Sequence, residues 1–519
     1  MQTQVHYTPD LSLGVTNRKS RKFGHAFLLL ALFISLGALA AVRPIAVLIV
    51  VAVAVVLWLG RLLLKSFMRS GLELWQAPLL IALSGYMILN YGFSNLAFHV
   101  GGAPLIVSYS LMYGALILAV FSRPDLVKRG LKEPAVVCFG VLLLLTFLHL
   151  VSNLPTYGFW AIRDSSLFLD GLFLIPGVVW ITSRSSAALL MKWLMLVFML
   201  NLIYSLTRPW EDRILAWSPQ SGVFVPVSLI GHYRGSYFYL LSGALFCILM
   251  ARYVVKWPRW LLLFLATAQV FGLAIHQARS TYVGLAASMI LLMVLGKSKE
   301  SMGLAFTVSS VLGVILLLTS VWGFEIPGRI GPVDLDFFSQ HVRSISGAQD
   351  TPGMSVGDRV DWYDEAFKRF RNNPILGEGF GLPLLDEVDN TTGAAIRQPH
   401  NSNISVIARM GVVGLAVWLS FHLALVSRFV HAYRHRKKYD NQTRDFVLWL
   451  FLYYVTFMIV AGVEPAFEFP EGAIPFYFFM GIALRVTRWR TRSKAGIGAS
   501  EDPRVLCERT GIGTLRTSG

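Results

Sequence analysis

Long stretches without a charge dominate this chain. Fourteen apolar runs can be read along it, at about 24–42, 45–60, 74–93, 104–121, 134–151, 167–183, 187–206, 237–255, 260–277, 281–296, 303–322, 404–430, 446–463 and 473–487. About 20 apolar residues make a helix that crosses the hydrocarbon core of a bilayer. Hydrophobic residues are 55% of the 519 and charged ones 14%, so a soluble fold would leave large apolar patches in water. Disorder requires the opposite composition. The sequence therefore predicts an all-α polytopic membrane protein of about 14 transmembrane helices.

The net charge of +17 then acquires a topological meaning. With the N-terminus in the cytoplasm and alternating crossings, the clusters Arg18-Lys19, Arg21-Lys22, Lys128-Arg129, Lys132, Arg434 to Lys438 and Arg485 to Arg492 all fall inside, as the positive-inside rule requires. Nucleic acid is not implied, and both termini are expected in the cytoplasm. The first run has signal-peptide features, but its length predicts a retained span. The expected organisation is a cytoplasmic segment 1–23, a transmembrane region 24–229, a motif-bearing region 230–430 with a large outer loop 323–403, a transmembrane hairpin 431–487 and a disordered basic tail 488–519. Cys138, Cys247 and Cys507 lack any zinc spacing; neither a metal nor a cofactor is expected. Asp170 and Lys192 are charges inside spans that can pair with each other.

Loops as long as 323–403 usually carry function. Within it, 355–373 reads as an amphipathic helix, capped by Ser355 with Asp358. Val360, Tyr363, Phe367 and Phe370 form its apolar stripe, with Asp364–Lys368 and Glu365–Arg369 as i,i+4 pairs. Gly377, Gly379 and Gly381 read as a sharp turn back to the membrane, or less directly as a phosphate cradle. Asp386, Glu387, Asp389 and Asn390 are either solvated or a cation or sugar contact.

His400 stands at the outer N-terminus of the run 404–430, with Asn401 or Ser402 as the helix cap. The positive end of the helix dipole disfavours imidazolium there, so His400 is either a structural residue or a proton acceptor. Arg234, Arg279 and Arg359 lie at membrane level on the same outer side, where Arg is under-represented. They either snorkel to headgroups or hold an anionic ligand, for which the guanidinium fork suits phosphate oxygens.

Taken in order, Arg234-Gly235-Ser236, Ala278-Arg279-Ser280-Thr281, Arg359 with Trp362, Asn373 to Gly379, His400-Asn401 and Gly411-Val412-Val413-Gly414 resemble the O-antigen ligase family, which also groups polysaccharide polymerases and protein O-oligosaccharyltransferases. The resemblance covers roughly 230–430. Ala278 stands where the family commonly has Ser. The resemblance implies transfer of a glycan from an undecaprenyl diphosphate-linked donor to an acceptor hydroxyl of a glycan, glycolipid or growing polymer, outside the bacterial inner membrane. It implies an inverting, metal-independent reaction, with His400 and Arg279 as catalytic residues. Arg234, Arg279 and Arg359 would bind the diphosphate, with Trp362 and Asn401 in support. A repeat-unit polymerase is the alternative within the class, and a lipid-linked-glycan flippase the alternative outside it.

Overall fold

The computed structural model describes residues 72–489, apart from 101–102, 223–225, 255–256, 322, 324, 335, 338, 341–355 and 389–394. The chain divides into two compact units at Arg69/Ser70, and the described residues belong to the second. The first two expected spans, the cap at Ser355, Asp389, Asn390 and the tail from 490 lie outside the described residues.

All twelve later apolar runs fall on helices. In chain order the principal helices, of which α3 and α12 lie outside those runs, are α1 (Gln76–Ile88), α2 (Val107–Ser122), α3 (Pro124–Gly130), α4 (Pro134–Tyr157), α5 (Phe159–Leu169), α6 (Leu174–Trp180), α7 (Arg184–Leu206), α8 (Ser236–Leu249), α9 (Arg259–His276), α10 (Arg279–Val294), α11 (Ser298–Leu316), α12 (Val356–Asn372), α13 (Ser402–Arg434), α14 (Asn441–Ala461) and α15 (Pro470–Val486). Six are long and apolar enough to cross a membrane: α4, α7, α9, α11, α13 and α14; α2 with α3, bent by 101°, makes a seventh if counted as one span. The other runs form shorter or broken helices, so apolar run and full-length span are not equivalent here.

The reason is burial inside protein. Almost every side chain of α8 and α15 is buried, so these helices are surrounded by other helices and need not match the bilayer thickness. α15 crosses α6 where Gly177 and Gly481 meet. A Cβ on Gly481 would come within 2.2 Å of the Leu174 carbonyl oxygen, so the two backbones touch, as small residues permit in membrane bundles. Rings of Trp418, Phe421, Phe457, Phe467, Phe476 and Tyr477 pack against one another, mostly edge-on or tilted, with Phe457 and Phe476 stacked.

The run 167–183 is one of the broken ones. A short 3-10 turn, Asp170–Phe173, separates α5 from α6. The expected Asp170–Lys192 pair does not form: Asp170 is fully buried and faces the Tyr109 hydroxyl at 3.5 Å, whereas Lys192 is exposed on α7.

The long helix α13 is kinked at Gly411, whose φ of 60° and ψ of −163° are not helical. Residues 374–379 wedge into the kink. Glu378 and Gly379 donate backbone N–H groups to the carbonyls of Ala408 (3.0 Å) and Arg409 (2.9 Å), and Val412 and Val413 donate to Pro374 (2.9 Å) and Ile375 (3.2 Å). The break therefore leaves few backbone groups unpaired, the condition for irregular backbone at membrane depth. Gly377, at φ 75°, is the close approach, because a Cβ there would sit 2.4 Å from the Arg409 backbone carbon. The glycines are thus a turn seated in a helix break.

The amphipathic helix α12 forms but uses a different face from the expected stripe. Trp362 and Ala366 are the buried residues, while Val360 is 53% exposed. Ala366 packs with Leu384, Ala408 and Ile404, so α12 lies on the start of α13. Glu365 and Arg369 do not close an i,i+4 pair. Arg369 binds Asp386, and Glu365 accepts the Asp386 backbone N–H at 2.5 Å. Nor is the acidic stretch solvated as a unit, since Glu387 accepts from the Trp362 indole.

Candidate functional site

Six helix ends meet at one end of the bundle: the starts of α8, α10, α13 and α15, and the ends of α9 and α14. Each carries a residue of interest. Arg234 precedes α8, whose cap Gly235 takes φ 88°. Asn90, itself at φ 51°, donates to the Ser236 hydroxyl at 2.7 Å and holds this turn. Arg234 lies over the Phe469 ring at 4.0 Å, so its charge is fixed against an aromatic face.

Arg279 is the first residue of α10, after the left-handed Gln277 at the end of α9. Gln277 ties this turn to the beginning of the large loop. Its side-chain oxygen accepts from Ile330 N–H at 2.6 Å and its amide donates to the Gly331 carbonyl at 2.9 Å. Burial, and then the neighbouring Arg359, lower the Arg279 pKa; the two guanidinium groups therefore share one region.

His400 precedes the cap of α13 and has φ 50°. Asn401 caps α13, its Oδ1 accepting from Asn403 N–H at 3.0 Å and Ile404 N–H at 3.3 Å. The Trp362 indole stacks on the imidazole, centroids 5.1 Å apart and planes at 30°. α12 therefore orients the histidine.

The residue that joins these groups is one that motif spacing did not single out. Glu464 lies in the short connector between α14 and α15, in Gly462-Val463-Glu464-Pro465. Its Oε2 is 3.6 Å from His400 Nδ1 and its Oε1 is 3.9 Å from Arg359 Nη2. The first distance exceeds a hydrogen bond but is close enough for charge attraction. Burial pushes the Glu464 carboxyl up, yet His400, Arg234 and Arg359 together hold it below its ordinary value, so it is a carboxylate. Arg234 and Glu464 also line one half-open crevice of about 50 Å³, beside Tyr237, Val460, Phe469 and Glu471. The only signal for Glu464 in the sequence was an acid next to a proline in an outer connector.

The connector is held from below. Ser402 donates to Glu468 Oε2 at 2.6 Å and accepts Phe467 N–H at 3.2 Å. Burial raises the Glu468 pKa.

A second buried network supports the loop side. Asp164 on α5 accepts from Arg397 at 2.7 Å and pairs with Arg409 at 3.1 Å. Arg397 stacks over Trp160 at 4.4 Å, and Arg409 also donates to the carbonyls of Gly379, Leu382 and Arg397. Burial pushes the Asp164 pKa up, but the guanidinium groups of Arg409 and Arg397 prevail and hold it low. Arg409, which interrupts an apolar run, is thus a buried clamp on the chain that leads to His400.

The arrangement is a helical membrane protein with a crevice at one end, lined by the Arg234 guanidinium and the Glu464 carboxylate, the latter beside the His400 imidazole and the Arg359 guanidinium. Among the described residues, no three His, Cys, Asp or Glu side chains cluster as metal ligands would. Residues 261–419 match the family model described as O-Antigen ligase. The matched segment contains Arg279, Arg359, Trp362, His400 and Asn401, while Arg234 and Glu464 lie outside it. Over that segment the chain is O-antigen ligase-like, in agreement with the motif resemblance. No curated protein gives a significant match to the chain.

Proposed function

We propose that this protein is a bacterial inner-membrane glycosyltransferase of O-antigen ligase type. It transfers a glycan from an undecaprenyl diphosphate-linked donor to an acceptor hydroxyl on the periplasmic side. The supporting observation is the convergence of His400 and Arg359 on Glu464, with Arg234 and Glu464 lining one crevice and Arg279 within electrostatic reach of Arg359.

In this reading the guanidinium groups of Arg234, Arg279 and Arg359 hold the donor diphosphate. His400 acts through Nε2, since Nδ1 faces Glu464. Nε2 takes the proton of the acceptor hydroxyl as its oxygen bonds to the anomeric carbon. The bond from that carbon to the diphosphate oxygen breaks, and its electron pair leaves with the diphosphate. Attack opposite the leaving group inverts the anomeric configuration. The growing negative charge falls among fixed guanidinium groups, which stabilise it without reorganisation. Glu464 stabilises the imidazolium that forms. Trp362 keeps the ring in place, and no metal is needed.

The test is transfer from a purified lipid-linked glycan to an acceptor in the presence of EDTA. Activity should persist in EDTA, and His400→Ala should lose about 10²–10⁴-fold while still inserting in the membrane. Wild-type rates in His400→Ala would refute the assignment.

A further inference from the structure

A second cationic cluster lies at the opposite end of the helices. α13 starts beside the crevice and runs for 33 residues, up to about 50 Å at 1.5 Å per residue. Near its far end Arg428 binds Glu133 Oε2 at 2.5 Å, and Arg488, just beyond α15, binds Oε1 at 2.6 Å. Glu133 is the buried residue that precedes α4. Around it is a cavity of about 150 Å³, lined by Arg129, Lys132, Arg485 and Arg488 together with Leu126 and Val178.

Charge in this cavity does not balance. Both oxygens of Glu133 are taken by Arg428 and Arg488. Arg129, Lys132 and Arg485 have no carboxylate partner among the described residues; Arg485 gives its Nε–H to the Ile181 carbonyl at 3.2 Å. Arg129 and Arg488 are near enough to repel Arg485, and they outweigh the attraction of Glu133, whose oxygens are already bonded to Arg428 and Arg488. Cations gathered on one cavity favour an anion that accepts several N–H bonds at once, which a phosphate group does.

The surroundings fix its depth. α3, which carries Arg129, is bent by 101° from α2 and so lies across the direction of the spans where α2 ends. Beside it Phe121 is 79% and Leu131 49% exposed. Apolar side chains bared next to unpaired cations match the boundary between acyl chains and headgroups, and basic pockets between helices at that level bind anionic headgroups.

We propose that this cavity binds the phosphodiester headgroup of an anionic membrane lipid such as phosphatidylglycerol. Arg129, Lys132 and Arg485 receive the phosphate, and the acyl chains lie along the exposed apolar flank. A free phosphate ion would gain nothing from that flank.

The experiment titrates short-chain phosphatidylglycerol, phosphatidylcholine and inorganic phosphate into the detergent-purified full chain and reads binding by native mass spectrometry, with thermal unfolding as a check on folding. Phosphatidylglycerol should bind, phosphatidylcholine should not, and millimolar phosphate should not displace the lipid. The double variant Arg129→Gln/Lys132→Gln removes two exposed cations that take no part in the Glu133 ion pairs; it should weaken phosphatidylglycerol about thirtyfold. Arg436→Gln/Lys437→Gln removes the same charge from the turn after α13 and should keep wild-type binding. Equal retention of both lipids, displacement by phosphate, wild-type affinity in the first double variant, or equal loss in both would each overturn the site.

Discussion

Glu464 Oε2 lies 3.6 Å from His400 Nδ1, across two connectors 64 positions apart in the chain. A carboxylate on one imidazole nitrogen leaves the other to take a proton and stabilises the cation that results. Glu464→Gln keeps the shape and removes the charge. Transfer from a lipid-linked glycan should fall in kcat with little change in donor KM, and by less than the loss in His400→Ala. A rise in KM at constant kcat would assign Glu464 to donor binding instead.

Arg279 opens α10 and shares its region with Arg359. Lys keeps the charge but cannot make a two-pronged contact with phosphate oxygens. Arg279→Lys should reduce transfer by about 10²-fold without altering membrane insertion. An unchanged rate would mark it as a topological cation.

Trp362 stacks on His400 and donates its indole N–H to Glu387. Aromatic pairs contribute about 0.5–1.5 kcal/mol beyond burial. Trp362→Phe should keep most activity, whereas Trp362→Ala should lose several-fold in kcat through a less ordered imidazole. Rates for the two variants from the same preparation check this.

Gly377 sits in the kink of α13 at φ 75°, with no room for a Cβ. Gly377→Ala must strain a left-handed backbone, at about 1–3 kcal/mol, and push the loop out of the helix break. A clear fall in the thermal midpoint is expected, together with lost transfer, because the same chain leads to His400.

Asp164 holds Arg397 and Arg409 in a buried network. Removing one partner of such a network costs about 3–5 kcal/mol, so Asp164→Ala should unfold at markedly lower temperature. The folded-state pKa of Asp164 is depressed. Its stabilising contribution is therefore complete above the unfolded value of about 3.9 and is lost as pH falls through the lower folded value. Thermal midpoints of wild type should drop below about pH 4, and those of the variant should drop less.

Membrane class, the helical character of the twelve described apolar runs and the shared side of Arg234, Arg279, Arg359 and His400 were legible in the chain. All follow from local pattern: apolar runs, basic connectors and loop motifs. The 3.6-residue period also marked α12 as a surface helix. It did not choose the buried face, because Val360 and Trp362 are both apolar and only contact with α13 selects the second.

Amino-acid order alone determined that these residues would be helical, membrane-bound and gathered at one end, since burying apolar side chains and pairing every backbone group leave a chain of this composition little else. The fold decided which helices are enclosed by others, where α13 breaks, and that Glu464 would meet His400. Those outcomes depend on distant segments packing against one another, and the fields and contacts that select them exist only once the helices are assembled.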